Sequence, residues 1–278
     1  MPNAIQDTVE EILWDTFDGG DSRMMEAFVA LYNEAGTTCG AEGHELIDDL
    51  LRRYTYVSHD FYDEGIETIA TYIAQEFDLT KAWLCATTAD HQKDSAQRVL
   101  YDISTSLGAL GHTNINTANR YDRVQKYANA DDSIILLDEF LGTGRSIIGR
   151  VNTIRKAFAD KKLNVPRIYV YVVAGMDFGL RRLAPLVDAA HPFISLRPGL
   201  RGFVKGTTLD RAYQLLDQLE SGLAAVIGRQ LLPKRGDGEC EALYARKRGN
   251  CPNSVLPMFW WPQRNDGTKR PTAFSRTF

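Results

Sequence analysis

The residues whose types and spacing can do chemistry are concentrated in Ile134-Ile135-Leu136-Leu137-Asp138-Glu139-Phe140-Leu141-Gly142-Thr143-Gly144-Arg145-Ser146. An apolar run of strand character delivers two adjacent carboxylates, then a glycine-bounded turn, then the start of a helix. Such a turn points several backbone N–H groups outward, and the helix dipole favours an anion there. Gly142 and Gly144 permit positive φ and close backbone approach. The hydroxyls of Thr143 and Ser146 can donate to phosphate oxygens. Asp138 and Glu139 stand one short span away, placed to accept hydrogen bonds from sugar hydroxyls. The combination reads as a sugar-phosphate cradle. It is not a P-loop, because the GxxxxGK[ST] spacing and its lysine are missing, and GxGxxG fails at the third glycine. The plain alternative is a capped strand-to-helix turn, for which two carboxylates, two glycines and two hydroxyls within nine residues are unusual.

Further polar residues end the neighbouring apolar runs. Thr87-Thr88-Ala89-Asp90-His91-Gln92-Lys93 follows one of them, with Arg98 on the next helix. Thr87 and Thr88 are candidate diphosphate contacts, whereas His91, Lys93 and Arg98 read first as helix-start or solvated residues. Arg120 and Arg123 lie upstream of the loop strand and can recognise a diphosphate through paired N–H donors. Arg197 and Arg201, in Leu196-Arg197-Pro198-Gly199-Leu200-Arg201, follow the last apolar run and are candidate nucleotide contacts. Asp177 reads as a helix cap. Phe259, Trp260 and Trp261 are either core plugs or a stacking platform for a base, and aromatics set among prolines favour the core.

The elements that must position these residues follow from periodicity. Helical spacing recurs from Ala4 to about Phe77: Ile5, Val9, Ile12 and Leu13 first, then Met24, Met25, Phe28, Leu31 and Tyr32 behind an Asp21-Ser22 cap. Helices are also expected over 42–53 and 60–77. From Lys81 the pattern changes to strands over 82–86, 133–138, 167–173 and 191–196. These alternate with helices over 95–107, 146–159, 178–187 and 209–227. Continuous apolar strands alternating with helices predict an α/β fold, a parallel sheet with helices on both faces. Ligands of such sheets sit beyond the C-terminal strand ends. The expected organisation is a helical N-terminal extension over 1–80, the α/β core over 81–230, and an extended Pro-rich segment over 231–278. Pro252, Pro257 and Pro262 prevent a helix in that last segment.

Composition sets the remaining bounds. The chain of 278 residues is 44% hydrophobic and 24% charged, enough apolar content for a sizeable core. The net charge of −4 and the short basic run Arg246-Lys247-Arg248 do not indicate direct nucleic-acid binding. Cys39, Cys85, Cys240 and Cys251 form no CxxC pair, which favours free thiols over a protein-built metal cage. No stretch nears the ~20 apolar residues of a membrane span, and no leader pattern is visible, so a cytoplasmic location is expected.

The 134–146 segment resembles the phosphoribosyl-pyrophosphate (PRPP) loop of type I phosphoribosyltransferases. More widely, the chain resembles the phosphoribosyltransferase-like effectors of bacterial conflict systems, some of them retron-associated. That likeness is carried by Asp138-Glu139-Phe140-Leu141-Gly142-Thr143-Gly144 and by Asn250-Cys251-Pro252-Asn253-Ser254-Val255-Leu256-Pro257 ahead of Trp260-Trp261. The resemblance implies that Asp138 and Glu139 act as the catalytic pair on the ribose hydroxyls. It implies that Gly142, Thr143, Gly144, Arg145 and Ser146 bind the 5-phosphate, and that Mg²⁺ accompanies the diphosphate. It also implies a toxin or effector of antiphage defence working with protein partners. The chain departs from the base-salvaging members at Gly142, where many carry an acidic residue, so general acid–base work from this position is excluded. Two readings therefore stand: an active phosphoribosyltransferase-like enzyme, or a sensor or assembly subunit that keeps the cradle without turnover.

Overall fold

Apolar runs and amphipathic stretches alternate along the chain and set its element order. In the computed structural model, which describes residues 2–89 and 95–277, the helices are α1 (Pro2–Thr16), α2 (Ser22–Cys39), α3 (Ala41–Arg52), α4 (His59–Glu76), α5 (Ser95–Ala109), α6 (Arg145–Asp160), α7 (Asp177–Leu183) and α8 (Gly206–Ser221). The strands are β1 (Thr55–Val57), β2 (Ala82–Ala86), β3 (Asn116–Ala118), β4 (Ser133–Leu141), β5 (Arg167–Met176), β6 (Ala189–Leu196), β7 (Val226–Ile227), β8 (Gln230–Leu231) and β9 (Tyr244–Arg246). They fall into two compact units, one made of Asp60–Leu196 and the other of Met1–His59 with Arg197–Phe278.

The first unit is a five-stranded sheet in the order β3-β2-β4-β5-β6, parallel throughout. β4 is central, and Ile134 to Leu137 are wholly buried because both sheet faces are covered. Side chains alternate across the sheet. Ile134 and Leu136 join Ile168, Val170 and Val172 in one cluster with Ile147, Val151, Ile154 and Phe158 of α6. The other face meets α5, whose Val99, Leu100, Ile103 and Leu107 are buried, and α4. α4 packs through Phe61 on Phe193 (5.3 Å between ring centres) and Phe77 on Tyr169 (4.7 Å). The expected α/β architecture is thus present.

The second unit gathers α1, α2, α3 and α8 with the C-terminal segment. Its core is aromatic: Phe17 lies 5.1 Å from Phe28, and Tyr54 stacks on Phe274 at 5.1 Å. Phe259, Trp260 and Trp261 are buried there, and the Trp260 indole donates to the Val255 carbonyl (2.9 Å). These aromatics are core residues. β1 pairs in parallel with β9, tying residues 55–57 to 244–246.

Element boundaries agree with the sequence reading to a few residues, with four differences. β4 continues to Leu141 instead of ending at Asp138, and β5 to Met176 instead of residue 173. α7 stops at Leu183, where a 3-10 turn over Ala184–Leu186, with Pro185 in it, takes over. α8 ends at Ser221, capped by Gly222, and residues 226–227 form β7. The units also divide the chain elsewhere than at residues 80 and 230: α4 groups with the sheet, and α8 groups with the N-terminal helices.

Candidate ribose-phosphate site

Because β4 runs three residues past Asp138, the two carboxylates lie inside the strand, and its period of two turns them to opposite faces. Asp138 points to the α6 face, and Glu139 is 2% exposed on the other. Asp138 is held from three sides. Its Oδ1 accepts the Glu139 backbone N–H (2.8 Å), and its Oδ2 accepts a short hydrogen bond from the Thr87 hydroxyl. Arg150, in the second turn of α6, places a guanidinium nitrogen 3.5 Å from Oδ2. Thr87 directly follows β2 and extends the ladder by one step, its N–H donating to the Leu137 carbonyl (3.2 Å). Thr87 and Thr88 are both buried.

The loop after β4 is fixed from two directions. Gly144 takes a left-handed φ of +76° and caps α6; Gly142 is not among the left-handed glycines. The Thr143 hydroxyl accepts from the Arg145 backbone N–H and side-chain Nε, both at 3.3 Å, so it stabilises the helix start. α7 buttresses the loop from beneath. A Cβ on Gly179 would stand 2.0 Å from the Gly142 carbonyl oxygen and 2.7 Å from Leu141 Cδ2. Gly179 therefore permits a backbone approach that no other residue would. Arg145 and Ser146 are exposed.

β3 brings a third group. Arg120 makes a paired contact with Asp122 (2.9 and 2.8 Å), and the Arg150 guanidinium lies 5.8 Å from the Tyr121 ring centre. Burial pushes the neighbouring Cys85 thiol far above its usual range, and the Asp122 carboxylate adds to the effect, so that thiol stays protonated. The C-terminal ends of β3, β2 and β4 thus present a carboxylate between a hydroxyl and a guanidinium, next to a glycine turn at a helix start. That arrangement offers acceptors to a polyol and donors to an anion.

Of the residues singled out in the sequence, Thr87, Asp138 and the 142–146 loop are brought together, with Thr88 adjoining and Arg120 at the end of β3. Arg197 and Arg201 belong to the other unit. Arg201 there sits 2.6 Å from the buried Glu241 carboxylate and 2.6 Å from the Glu239 carbonyl; Arg197 is exposed. Asp177 is the first residue of α7 and pairs with Arg181 (3.1 Å). Arg98 pairs with Asp102 (3.3 Å). Asp90, His91 and Lys93 lie outside the described residues. Sequence reasoning missed Arg150, Tyr121 and Gly179. Only the helical offset of Arg150 from the loop hinted at its role. Among the described residues no three His, Cys, Asp or Glu side chains converge to hold a metal, and no helix is long and apolar enough to cross a membrane.

Comparison with known proteins gives the family. No curated protein matches the sequence. Among solved structures the chain is similar to a hypoxanthine-guanine-xanthine phosphoribosyltransferase (12% identity, 54% of this chain and 84% of that one, TM-score 0.35). It is also similar to an adenine phosphoribosyltransferase (APRTase) from Giardia lamblia complexed with 9-deazaadenine (12% identity, 49% and 80%, TM-score 0.36). A hypothetical protein from Neisseria gonorrhoeae with bound ppGpp is similar over 59% of this chain and 97% of that one (8% identity, TM-score 0.33). The PRTase-CE family model matches residues 41–276, well over half of the sequence, and the chain belongs to the PRTase-CE family.

Proposed function

We propose that the chain binds PRPP or a nucleotide through its ribose 5-phosphate at the C-terminal ends of β2 and β4, and that it serves as an effector of bacterial antiphage defence. The observation that carries the ligand reading is the placement of Asp138, held between Thr87 and Arg150 immediately before the Gly142–Ser146 turn. In this reading Asp138 accepts from the ribose hydroxyls, with Glu139 supporting the strand end. The N–H groups at the start of α6, with Thr143 and Ser146, receive the 5-phosphate. Thr87, Thr88 and Arg120 face the diphosphate, and Arg150 offsets the charge near Asp138. Mg²⁺, if brought in with the substrate, would supply charge neutralisation to the leaving diphosphate beside Thr87, Thr88 and Arg120. The chain's own residues position the sugar and stabilise positive charge developing on the ribose. With glycine at 142, a proton acceptor for an incoming base has to come from the acceptor or from elsewhere.

The defence role rests on the sequence likeness to conflict-system effectors. It implies a cytoplasmic protein acting with protein partners. The second reading, a ligand-binding sensor or assembly subunit without turnover, is favoured by Gly142 alone. Pyrophosphate release from PRPP with Mg²⁺, assayed against bases, nucleosides and cell extract, separates the two. Release that Asp138→Asn abolishes identifies an enzyme. Binding without release under every condition identifies the sensor, and loss of neither activity in Asp138→Asn would remove this site from the account.

A further inference from the structure

The basic run at residues 246–248, too short by itself to imply a ligand, becomes one wall of a cavity in the unit that lacks the five-stranded sheet. The cavity holds about 430 Å³ and is lined by Arg246, Lys247 and Arg248 from the end of β9, and by Arg23 from the first turn of α2. Tyr56, Ser275 and Asp21 add to its polar lining. A volume of this size suits a small ligand and is too confined for a domain surface.

The charges in it do not cancel. Lys247 pairs with Asp18 (2.9 Å), so that cation is compensated. Asp21, the one carboxylate among the described residues lining the cavity, caps α2 by accepting the Met24 backbone N–H (2.9 Å) and offsets only one of the remaining cations. Arg23 donates to a neutral group, the Ser275 hydroxyl (2.6 Å). Arg248 is exposed and carries a left-handed φ of +58°, a conformation that glycine or asparagine would adopt at lower cost. Arg246, by contrast, is 8% exposed. Guanidinium groups from two distant segments thus converge on one concavity in a chain whose net charge is −4.

We propose that this cavity is a second anion site, taking the phosphate of a small phosphorylated ligand of about mononucleotide size. Arg23 and Arg248 supply paired N–H donors to the phosphate oxygens, and Tyr56 lines the wall that meets the rest of the molecule. The enclosed volume favours a free small molecule over a phosphate within a nucleic-acid strand. The site is independent of the reading given to Asp138.

The test is calorimetric titration of the full-length chain with AMP, inorganic pyrophosphate and a twelve-nucleotide single strand. It is carried out in an Asp138→Asn/Glu139→Gln background so that the sheet site does not contribute. The expected result is one binding event for AMP or pyrophosphate. It should weaken about tenfold or more in Arg23→Gln/Arg248→Gln, and weaken also as salt rises. Both arginines are exposed, so the variants should keep the parental melting temperature. Arg248→Gly, which relieves the backbone and removes the charge, should melt no lower yet bind as weakly. Undiminished affinity in the double variant, or no binding of either small probe at millimolar concentration, overturns the proposal. So does binding of the oligonucleotide alone. The reading of Asp138 is tested separately by whether wild type shows an additional event that the background variant lacks.

Discussion

The approach of Gly179 to Gly142 makes the loop's position depend on one missing methyl group. Placing Cβ there would bring it to 2.0 Å from a backbone oxygen and 2.7 Å from a leucine methyl, where neither the strand end nor α7 can yield without moving the loop. Overpacking of this kind costs about 1–3 kcal/mol. Alanine in a helix interior otherwise gains about 1 kcal/mol over glycine; with the added Cβ 2.0 Å from a backbone oxygen the cost lies at the upper end, so Gly179→Ala should destabilise by up to about 2 kcal/mol net. The matched control is Gly149 in α6, where an added Cβ meets nothing within 4 Å. Gly149→Ala should therefore stabilise by about 0.5–1 kcal/mol. Thermal melts of the two variants beside wild type read both signs, and ligand titration reads the loop. Gly179→Ala should weaken the ribose-phosphate ligand, whereas Gly149→Ala should not. Equal, stabilising shifts in both variants, with binding intact, would refute the idea that α7 sets the loop.

Three other outcomes follow from the same contacts. Thr87→Val keeps the buried shape but removes the hydroxyl that donates to Asp138; it should lower stability by about 1–2 kcal/mol, and Thr87→Ser should restore most of it, as read by denaturant titration. Arg201→Ala strips the guanidinium from the wholly buried Glu241, leaving that carboxylate with the Leu200 and Arg201 N–H groups and the Tyr213 hydroxyl. Such a loss costs about 3 kcal/mol, and Arg201→Lys should recover only part because a single ammonium cannot reproduce the fork. Burial raises the Glu220 carboxyl from 4.5 to about 7, opposed by the Arg235 backbone N–H it accepts and reinforced by Asp217. A raised folded-state value means the stabilising contribution is present below about 4.5 and is lost as pH rises through 7. The linked change approaches about 3 kcal/mol. Glu220→Gln should thus raise the melting temperature at pH 8 and leave it nearly unchanged at pH 4.5. A gain that is the same at both pH values would contradict this.

The parts of the molecule legible in the sequence are those written locally. β4 and α6 announce themselves because a run of β-branched and leucine residues must be buried on both sides, and the glycine turn ends it. β5 and α5 are legible for the same reason. What stayed hidden depends on long-range pairing. β1 and β9 are three residues each and lie about two thirds of the chain's length apart, so no local pattern marks either one. The grouping of α4 with the sheet and α8 with the N-terminal helices is likewise decided by which apolar faces meet, not by sequence order. At the site, the carboxylate pair was visible but its divergence was not. That required knowing that β4 continues to Leu141. Arg150 was invisible as a partner of Asp138, since only the return of α6 over the strand end brings it near. Arg201 looked like a ligand residue from its place after β6, and its engagement with Glu241 depends on the distant C-terminal segment.

Calorimetric titration of PRPP with Mg²⁺ into wild type and an Asp138→Asn/Glu139→Gln variant tests the central claim most directly. The account predicts a saturable event in wild type that disappears in the variant while its melting temperature and circular dichroism show it folded. A well-folded wild type that takes up neither PRPP nor a nucleotide, or a variant that binds as wild type does, would contradict it.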